Sequence, residues 1–127
     1  MLTVDPIELG NPKAHHYLLG AVGPRPICFA STIDSAGNRN LAPFSFFNVF
    51  SSNPPVAIFS PSRSGRTGKQ KDTYNNIKEV PEVVINLVNY SMVEQMSLSS
   101  SPYQSNVDEF LKSGLTPLES ESVRPSR

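Results

Sequence analysis

Four basic side chains lie close together in a chain whose net charge is zero, with 11 Lys and Arg against 11 Asp and Glu. They fall within nine residues, on a loop that also carries Ser and Gly, and are Arg63, Arg66, Lys69 and Lys71. Such a loop can hold a phosphate through backbone N–H groups, hydroxyls and cations. The alternative interpretation is a solvated surface loop.

The loop runs into a helix predicted from about Thr73 to Val80, with Asp72 as its N-cap. As an N-cap, Asp72 would occupy helix N–H donors and place a carboxylate near the anion. We therefore expect Arg63, Lys71 and the Thr73 hydroxyl to hold the phosphate, while Asp72 orients these groups.

A second segment, residues 43–50, is rich in phenylalanine with polar residues between. Its members are Phe44, Phe46, Phe47 and Phe50, with Ser45 and Asn48. A planar conjugated ligand needs an aromatic wall and a few polar groups for its edge, and these residue types provide both. Alternation along a strand separates Phe44 and Phe46 from Phe47, so part of the segment must be core. The alternative interpretation is a buried strand face.

Side chains for acid–base or metal chemistry are scarce. His15 and His16 are the only histidines; being adjacent they point to different helix faces, and ordinary surface or packing roles are expected. The single cysteine, Cys28, excludes an internal disulfide and a clustered-thiolate metal site, and predicts a reducing, cytoplasmic location. With no nucleophile motif either, we expect no catalytic side chain, no metal site and chemistry carried by a bound cofactor.

Turn residues, 12 Pro and 7 Gly, divide the chain into short elements. Strands are predicted at 27–33, 39–42, 56–59 and 82–88, the third of them central, with a hairpin turn at 34–38. Short helices are predicted at 11–20 and 107–112, with Asn11 as N-cap of the first, and a capping box at Ser91 predicts another. No strand is followed by a long crossover helix, so the pattern favours a mainly β, antiparallel barrel with short α-helices.

Length and charge exclude several classes of protein. A chain of 127 residues fits a single domain, 1–127. The balanced charge counts against a nucleic-acid partner. No apolar run approaches the ~18 residues of a membrane span, and the N-terminus lacks the pattern of a signal peptide, so no membrane partner is expected.

A series of short segments, in this order, carries a more specific pattern. They are GPRPI (23–27), STID (31–34), NLAPFSFFN (40–48), NPP (53–55), KDT (71–73), NI (76–77), VIN (84–86) and DEF (108–110). Together they resemble the flavin reductase-like domain family, the FMN-binding split-barrel proteins. That family includes flavoredoxin-type proteins and the reductase components of two-component flavin monooxygenases. The resemblance covers about residues 20–125.

The resemblance implies a Greek-key antiparallel split β-barrel that forms a homodimer and binds a flavin, FMN in preference to FAD or riboflavin. It implies NAD(P)H-dependent flavin reduction, or electron transfer that supplies reduced flavin to a flavin-dependent monooxygenase or another acceptor. Hydride transfer to flavin N5 needs stacking and an open ring face rather than a protein acid or base, which is consistent with the missing triad.

Family motifs also imply which residues bind the cofactor. Those expected to line the isoalloxazine are Asn40, Pro43, Phe44, Ser45, Phe46, Phe47 and Asn48. Those expected to surround the ribityl phosphate are Ser60, Ser62, Arg63, Lys71, Asp72 and Thr73.

The chain departs from the family at its end, because family members continue with strands that complete the barrel. We therefore expect either a fragment of a longer reductase or a shortened form that depends on dimerisation to cover an exposed sheet edge. Two other functions are open: a non-catalytic FMN-binding or carrier module, and a small barrel that binds an anionic polymer through residues 63–71.

Overall fold

A computed structural model describes residues 3–65 and 67–127, so Arg66 lies outside the described residues. Over this part of the chain short helices and short strands alternate. In chain order they are α1 (Pro6–Leu9), α2 (Asn11–Ala21), β1 (Cys28–Ile33), β2 (Arg39–Phe44), β3 (Phe47–Ser52), β4 (Pro55–Phe59), α3 (Asp72–Glu79), β5 (Val84–Leu87), α4 (Val93–Ser99), which follows a 3-10 turn at Tyr90–Met92, and α5 (Glu109–Lys112).

The strands form two antiparallel sheets. In the larger sheet β1 lies between β2 and β5, and in the smaller one β3 pairs with β4. The predicted hairpin between β1 and β2 is confirmed: the Asp34 carboxylate accepts a hydrogen bond from the Asn38 N–H at 2.8 Å. Gly37 completes the turn with a φ of 93°, a conformation that a residue with a side chain rarely adopts.

Both faces of β1 are covered. On one face Cys28 and Ala30 are packed against Phe44, and the half-buried side chains of Phe47 and Phe59 extend this cluster. On the other face lies a second cluster, composed of Phe29, Leu41 and Phe110, against which Met92 and Met96 pack. β1 is therefore the central element, held between the small sheet on one side and α4 and α5 on the other.

Helix α5 is fastened to β2 by two adjacent acidic residues. Asp108 forms an ion pair with Arg39, with 2.7 Å between Nη2 and Oδ2, and its other oxygen accepts from the Phe110 N–H at 3.0 Å. Glu109 is buried and accepts from the Leu41 N–H at 3.1 Å. The DEF segment thus connects α5 to β2 through its two carboxylates.

Glu109 predicts a pH dependence of stability. Burial raises the pKa of its carboxyl above the ordinary 4.5; Asp72 and Asp108 add to this and the Leu41 N–H opposes it. The folded protein thus favours the neutral form, so stability from this group is present below pH 4.5 and lost as the pH rises through its folded-state pKa. Glu109→Gln keeps the acceptor without the charge. We expect the free energy of unfolding of Glu109→Gln, measured by urea denaturation, to increase relative to that of wild type as the pH rises from about 4 to about 7. A pH-independent difference, like that expected for the exposed Glu94→Gln, would contradict the interpretation.

The Cys28 thiol should be unreactive in the folded protein. It is fully buried in β1, and burial raises its pKa to about 11, which removes the nucleophilic thiolate at neutral pH. We expect no reaction with a disulfide reagent until denaturant is added, and then one thiol per chain. Ser35→Cys, at an exposed turn position, should add one thiol that reacts without denaturant. Rapid labelling of the native wild type would overturn this placement.

The small sheet differs from the prediction. Residues 56–59 were expected to form a central strand, but β4 pairs with β3 alone among the described strands. Phe50 is the extra residue of a bulge between Val49 and Ser51. Val49, Phe50 and Ile58 are 67%, 66% and 52% exposed. The aromatic segment is therefore only partly core, because its last residues are exposed.

Three predicted helix starts were also wrong. Helix α2 is capped by Gly10 rather than Asn11, after a further short helix, α1, that Asp5 caps. Lys71, not Asp72, is the N-cap of α3, and no side chain caps that helix. Ser91 bonds to Asn89 instead of capping a helix. Among the described residues no helix is both long and apolar enough to cross a membrane.

Candidate functional site

A cleft of about 1050 Å³ opens between α2, the end of β2 and the loop before α3. It is the feature that brings the two predicted segments together. Its lining residues are Asn11, Pro12, Ala14, His15, His16, Leu18, Leu19, Arg25, Pro43, Phe44, Ser45, Phe46, Ser60, Ser62, Arg63, Ser64, Gly65, Gly68 and Lys71. None of these described residues is acidic, so the cleft has a positive potential and suits an anionic ligand.

Lys71 has the most distinctive environment in the cleft. Its ammonium lies 4.9 Å from the centre of the Phe44 ring, and no ion pair within the described residues includes it. Burial lowers the pKa of Lys71. A half-buried ammonium without a carboxylate is costly unless a ligand supplies the negative charge, so an anion bound here would also raise that pKa again.

Three more polar side chains line the cleft together with Lys71. Ser60 and Ser62 place their hydroxyl oxygens 3.4 Å apart, and Arg63 reaches the carbonyl oxygen of Gly68 through Nη1 at 3.3 Å. The loop's own amides are less available than expected. The N–H groups of residues 64, 67, 68 and 69 donate to Lys69, Ser64 and Thr67 within the loop. With these four amides engaged, side chains would have to supply more of the contacts to a phosphate than the sequence suggests.

Two aromatic rings, those of Phe44 and Phe46, line the cleft. Phe44 ends β2, its ring contacts Phe59 at 5.4 Å between centroids, and it belongs to the first core cluster. Ser45 and Phe46 form the bend between β2 and β3. Because Phe44 is fixed by the core while Phe46 stands at the bend, the cleft has one rigid aromatic surface and one at its rim.

Helix α2 forms the wall that sequence reasoning missed. The His15 ring meets the Phe46 ring edge-on at 5.6 Å. Arg25 donates from Nη1 to the carbonyl oxygens of Leu19, at 2.7 Å, and Val22. Arg25 stands in the GPRPI segment, but nothing local in the sequence indicates that α2 packs against the bend after β2, where His15 meets Phe46.

Two predicted site residues belong to a buried polar network instead of the cleft lining. The Asn40 amide nitrogen donates to Thr73 Oγ1 at 2.9 Å and lies 3.4 Å from Thr32 Oγ1. Asn76 donates to the same Thr32 oxygen at 3.2 Å. Thr73 is only 1% exposed. This network joins α3 to β1 and β2, directly behind Lys71.

Three other predicted residues also lie away from the cleft lining. Phe47 packs on the first core cluster. Asn48 is exposed, and its side-chain oxygen accepts from the neighbouring Val49 N–H at 2.8 Å. The Asp72 carboxylate accepts from the Ser105 hydroxyl at 3.0 Å, so it ties the start of α3 to the 105 loop instead of orienting the basic groups.

Comparison with known proteins agrees with this architecture. Residues 21–126 match the model of the flavin reductase like domain. A curated but uncharacterised protein of Aquifex aeolicus is 43% identical over 121 residues. Nitrilotriacetate monooxygenase component B from Bacillus cereus superposes with a TM-score of 0.89 at 32% identity. A split barrel domain protein from Shewanella frigidimarina superposes with a TM-score of 0.75 at 26% identity.

These matches cover most of this chain and part of each relative. The shares are 94% of this chain and 61% of the Aquifex protein, 98% and 61% for the Bacillus structure, and 94% and 57% for the Shewanella structure. The chain therefore spans about three fifths of the length of the relatives it matches. Its antiparallel strands and short helices are those of the split-barrel fold, and the chain belongs to the flavin reductase-like domain family.

Proposed function

We propose that this chain binds FMN in the cleft between α2, β2 and the loop before α3, and takes part in NAD(P)H-dependent flavin reduction or in electron transfer through the bound flavin. The ribityl phosphate lies against Lys71, Arg63 and the hydroxyls of Ser60 and Ser62. The isoalloxazine lies along Phe44 and Phe46. When bound, the flavin supplies the redox chemistry, and the protein's residues bind and orient it.

The observation that carries this proposal is Lys71. Its ammonium is half-buried, rests on an aromatic ring and lacks an anionic partner among the described residues. The donor set fits the cofactor, because cations and hydroxyls match a phosphate and a phenylalanine floor matches a planar ring. The family relationship supports a flavin as the ligand with both features.

A non-catalytic flavin carrier is the second candidate, because the chain matches only part of its relatives. Binding of an anionic polymer has less support. Lys71 and Arg63 line a concave cleft rather than an open surface, whereas polymer binders present basic side chains along an extended face.

A homodimer forms part of the proposal. Val49, Phe50 and Ile58 lie on β3 and β4 and are more than half exposed, and a group of exposed apolar side chains on one small sheet is typical of an interface. Gel filtration at several protein concentrations tests it. A cooperative monomer at all concentrations would exclude dependence on dimerisation.

The decisive experiment is an anaerobic titration. The purified protein is mixed with FMN, freed of unbound flavin, and titrated with NADH or NADPH while the flavin absorbance is recorded. Retention of FMN with bleaching by either nucleotide supports a reductase, and retention without bleaching supports the carrier. A protein that retains no FMN and does not quench its fluorescence would overturn the proposal.

A further inference from the structure

Arg25 is held rigidly in the lining of the cleft, near the Phe46 ring. Its Nη1 donates to the carbonyl oxygens of Leu19 and Val22, in the last turn of α2 and just beyond it. Carbonyls at a helix C-terminus attract a cation, so these bonds also have a favourable charge interaction. The plane of the guanidinium is thereby fixed before any ligand arrives.

Three N–H groups of Arg25 are left over, one on Nε and two on Nη2, since both hydrogen bonds found among the described residues come from Nη1. Nε is buried and has no hydrogen-bond partner, although Arg25 lines the cleft. Neither ion pair found in the described part of the chain includes Arg25. A buried N–H without an acceptor is rare in folded proteins and costs roughly 1–3 kcal/mol. The missing acceptor is therefore expected to come from the ligand.

Two parts of the cleft lining differ in chemistry. Lys71 lies over Phe44, and Arg63 and serine hydroxyls belong to the same lining; such freely rotating donors suit the several oxygens of a phosphate. Arg25 lies 6.0 Å from the centre of the Phe46 ring. There Nε–H and the N–H groups of Nη2 remain in one fixed plane, which suits a carbonyl oxygen at the edge of a planar ring.

We propose that Arg25 binds the carbonyl edge of the flavin ring through Nε–H, and that its charge favours the reduced form of the flavin. This inference rests on the proposed function. Hydride transfer from a dihydronicotinamide gives the ring two electrons and one proton and leaves the nicotinamide oxidised. The ring thereby gains one negative charge, which is shared with its carbonyl edge, and a nearby cation stabilises that charge.

Two variants test the role of Arg25: Arg25→Met, which removes the donor and the charge, and Arg25→Lys, which keeps the charge without the planar N–H. Dissociation constants are measured for lumiflavin, riboflavin and FMN, which share the ring and differ in the side chain. Arg25→Met should weaken all three by the same factor, about 10- to 100-fold. Arg25→Lys should weaken the binding of all three flavins by a smaller factor than Arg25→Met. Lys71→Ala should weaken FMN alone.

The midpoint potential of the bound flavin separates ligand contact from a purely structural role. If Arg25→Met loses tenfold more affinity for the reduced than for the oxidised ring, the potential falls by about 30 mV, and Arg25→Lys should retain most of the wild-type value. Far-UV circular dichroism monitors α2 in both variants. Should Arg25→Met fail to fold, Arg25→Lys still has to show the uniform loss.

Four results would overturn the inference about Arg25. They are a loss of affinity confined to FMN, an unchanged affinity of Arg25→Met for lumiflavin, an unchanged midpoint potential of the flavin in Arg25→Met, and slower reduction by the nicotinamide with unchanged flavin affinity. The last result would place Arg25 at the binding site of the nicotinamide. If the wild-type protein itself bound none of the three flavins, the proposed function would fail first, and the two failures are therefore distinguishable.

Discussion

Lys71→Ala is expected to weaken FMN binding by about 1–3 kcal/mol, roughly 5- to 150-fold, and to leave riboflavin binding nearly unchanged. The ammonium of Lys71 is half-buried over Phe44 and has no carboxylate partner among the described residues. A charge-assisted contact with a phosphate is stronger in such a partly desolvated position than at an exposed one. Fluorescence quenching titrations with both flavins measure the difference.

Lys69→Ala is the matched control for this prediction. Lys69 lies two residues away on the same loop and carries the same charge, but it is exposed and does not line the cleft. Its removal should change FMN affinity by less than about 0.5 kcal/mol, because exposed charges are screened by solvent and salt. If Lys71→Ala lost as much affinity for riboflavin as for FMN, the phosphate contact would be contradicted. If Lys69→Ala lost as much FMN affinity as Lys71→Ala, the effect of Lys71 would be a general effect of charge.

The local parts of the fold could be predicted from the sequence. Alternation over 27–33 and the turn residues at 34–38 predict the β1–β2 hairpin, because both the strand period and the turn conformation depend on neighbouring residues. The edge position of β4 could not be predicted. Its apolar run resembles a central strand, and only the pairing with β3 and the exposure of Ile58 show otherwise.

The candidate site divides in the same way. The loop cations and the Phe44 to Phe46 segment could be predicted, since residue types alone suggest an anion and a planar ring. Arg25 and His15 could not, because their place in the cleft depends on α2 packing against the bend that follows β2. From the sequence alone, Asn40 and Thr73 look like site residues. A polar side chain in a strand or at the start of a helix can form hydrogen bonds either to a ligand or to other buried groups of the protein.

Asn40→Ala is the second prediction with a large effect, and it concerns stability rather than binding. Asn40 is the donor to Thr73 Oγ1 and lies close to Thr32 Oγ1, inside a network that also includes Asn76. Its loss leaves the buried Thr73 hydroxyl without its donor, whereas Thr32 keeps the hydrogen bond from Asn76, and an unsatisfied buried group costs about 1–3 kcal/mol. We expect the free energy of unfolding to fall by about 2–3 kcal/mol.

The control and the ligand measurement decide between a structural and a binding role for Asn40. Asn75→Ala, at an exposed position on α3, should change stability by less than about 0.5 kcal/mol. In Asn40→Ala that remains folded, FMN affinity should stay within about twofold of wild type, because a network behind Lys71 affects the ligand only through the position of α3. A large loss of FMN affinity with unchanged stability would instead place Asn40 against the flavin ring, as the family resemblance implies. Lys71 lines the cleft and is the N-cap of α3, the helix that carries Thr73 and Asn76 of the network, so urea denaturation and flavin titration must be carried out on the same preparation.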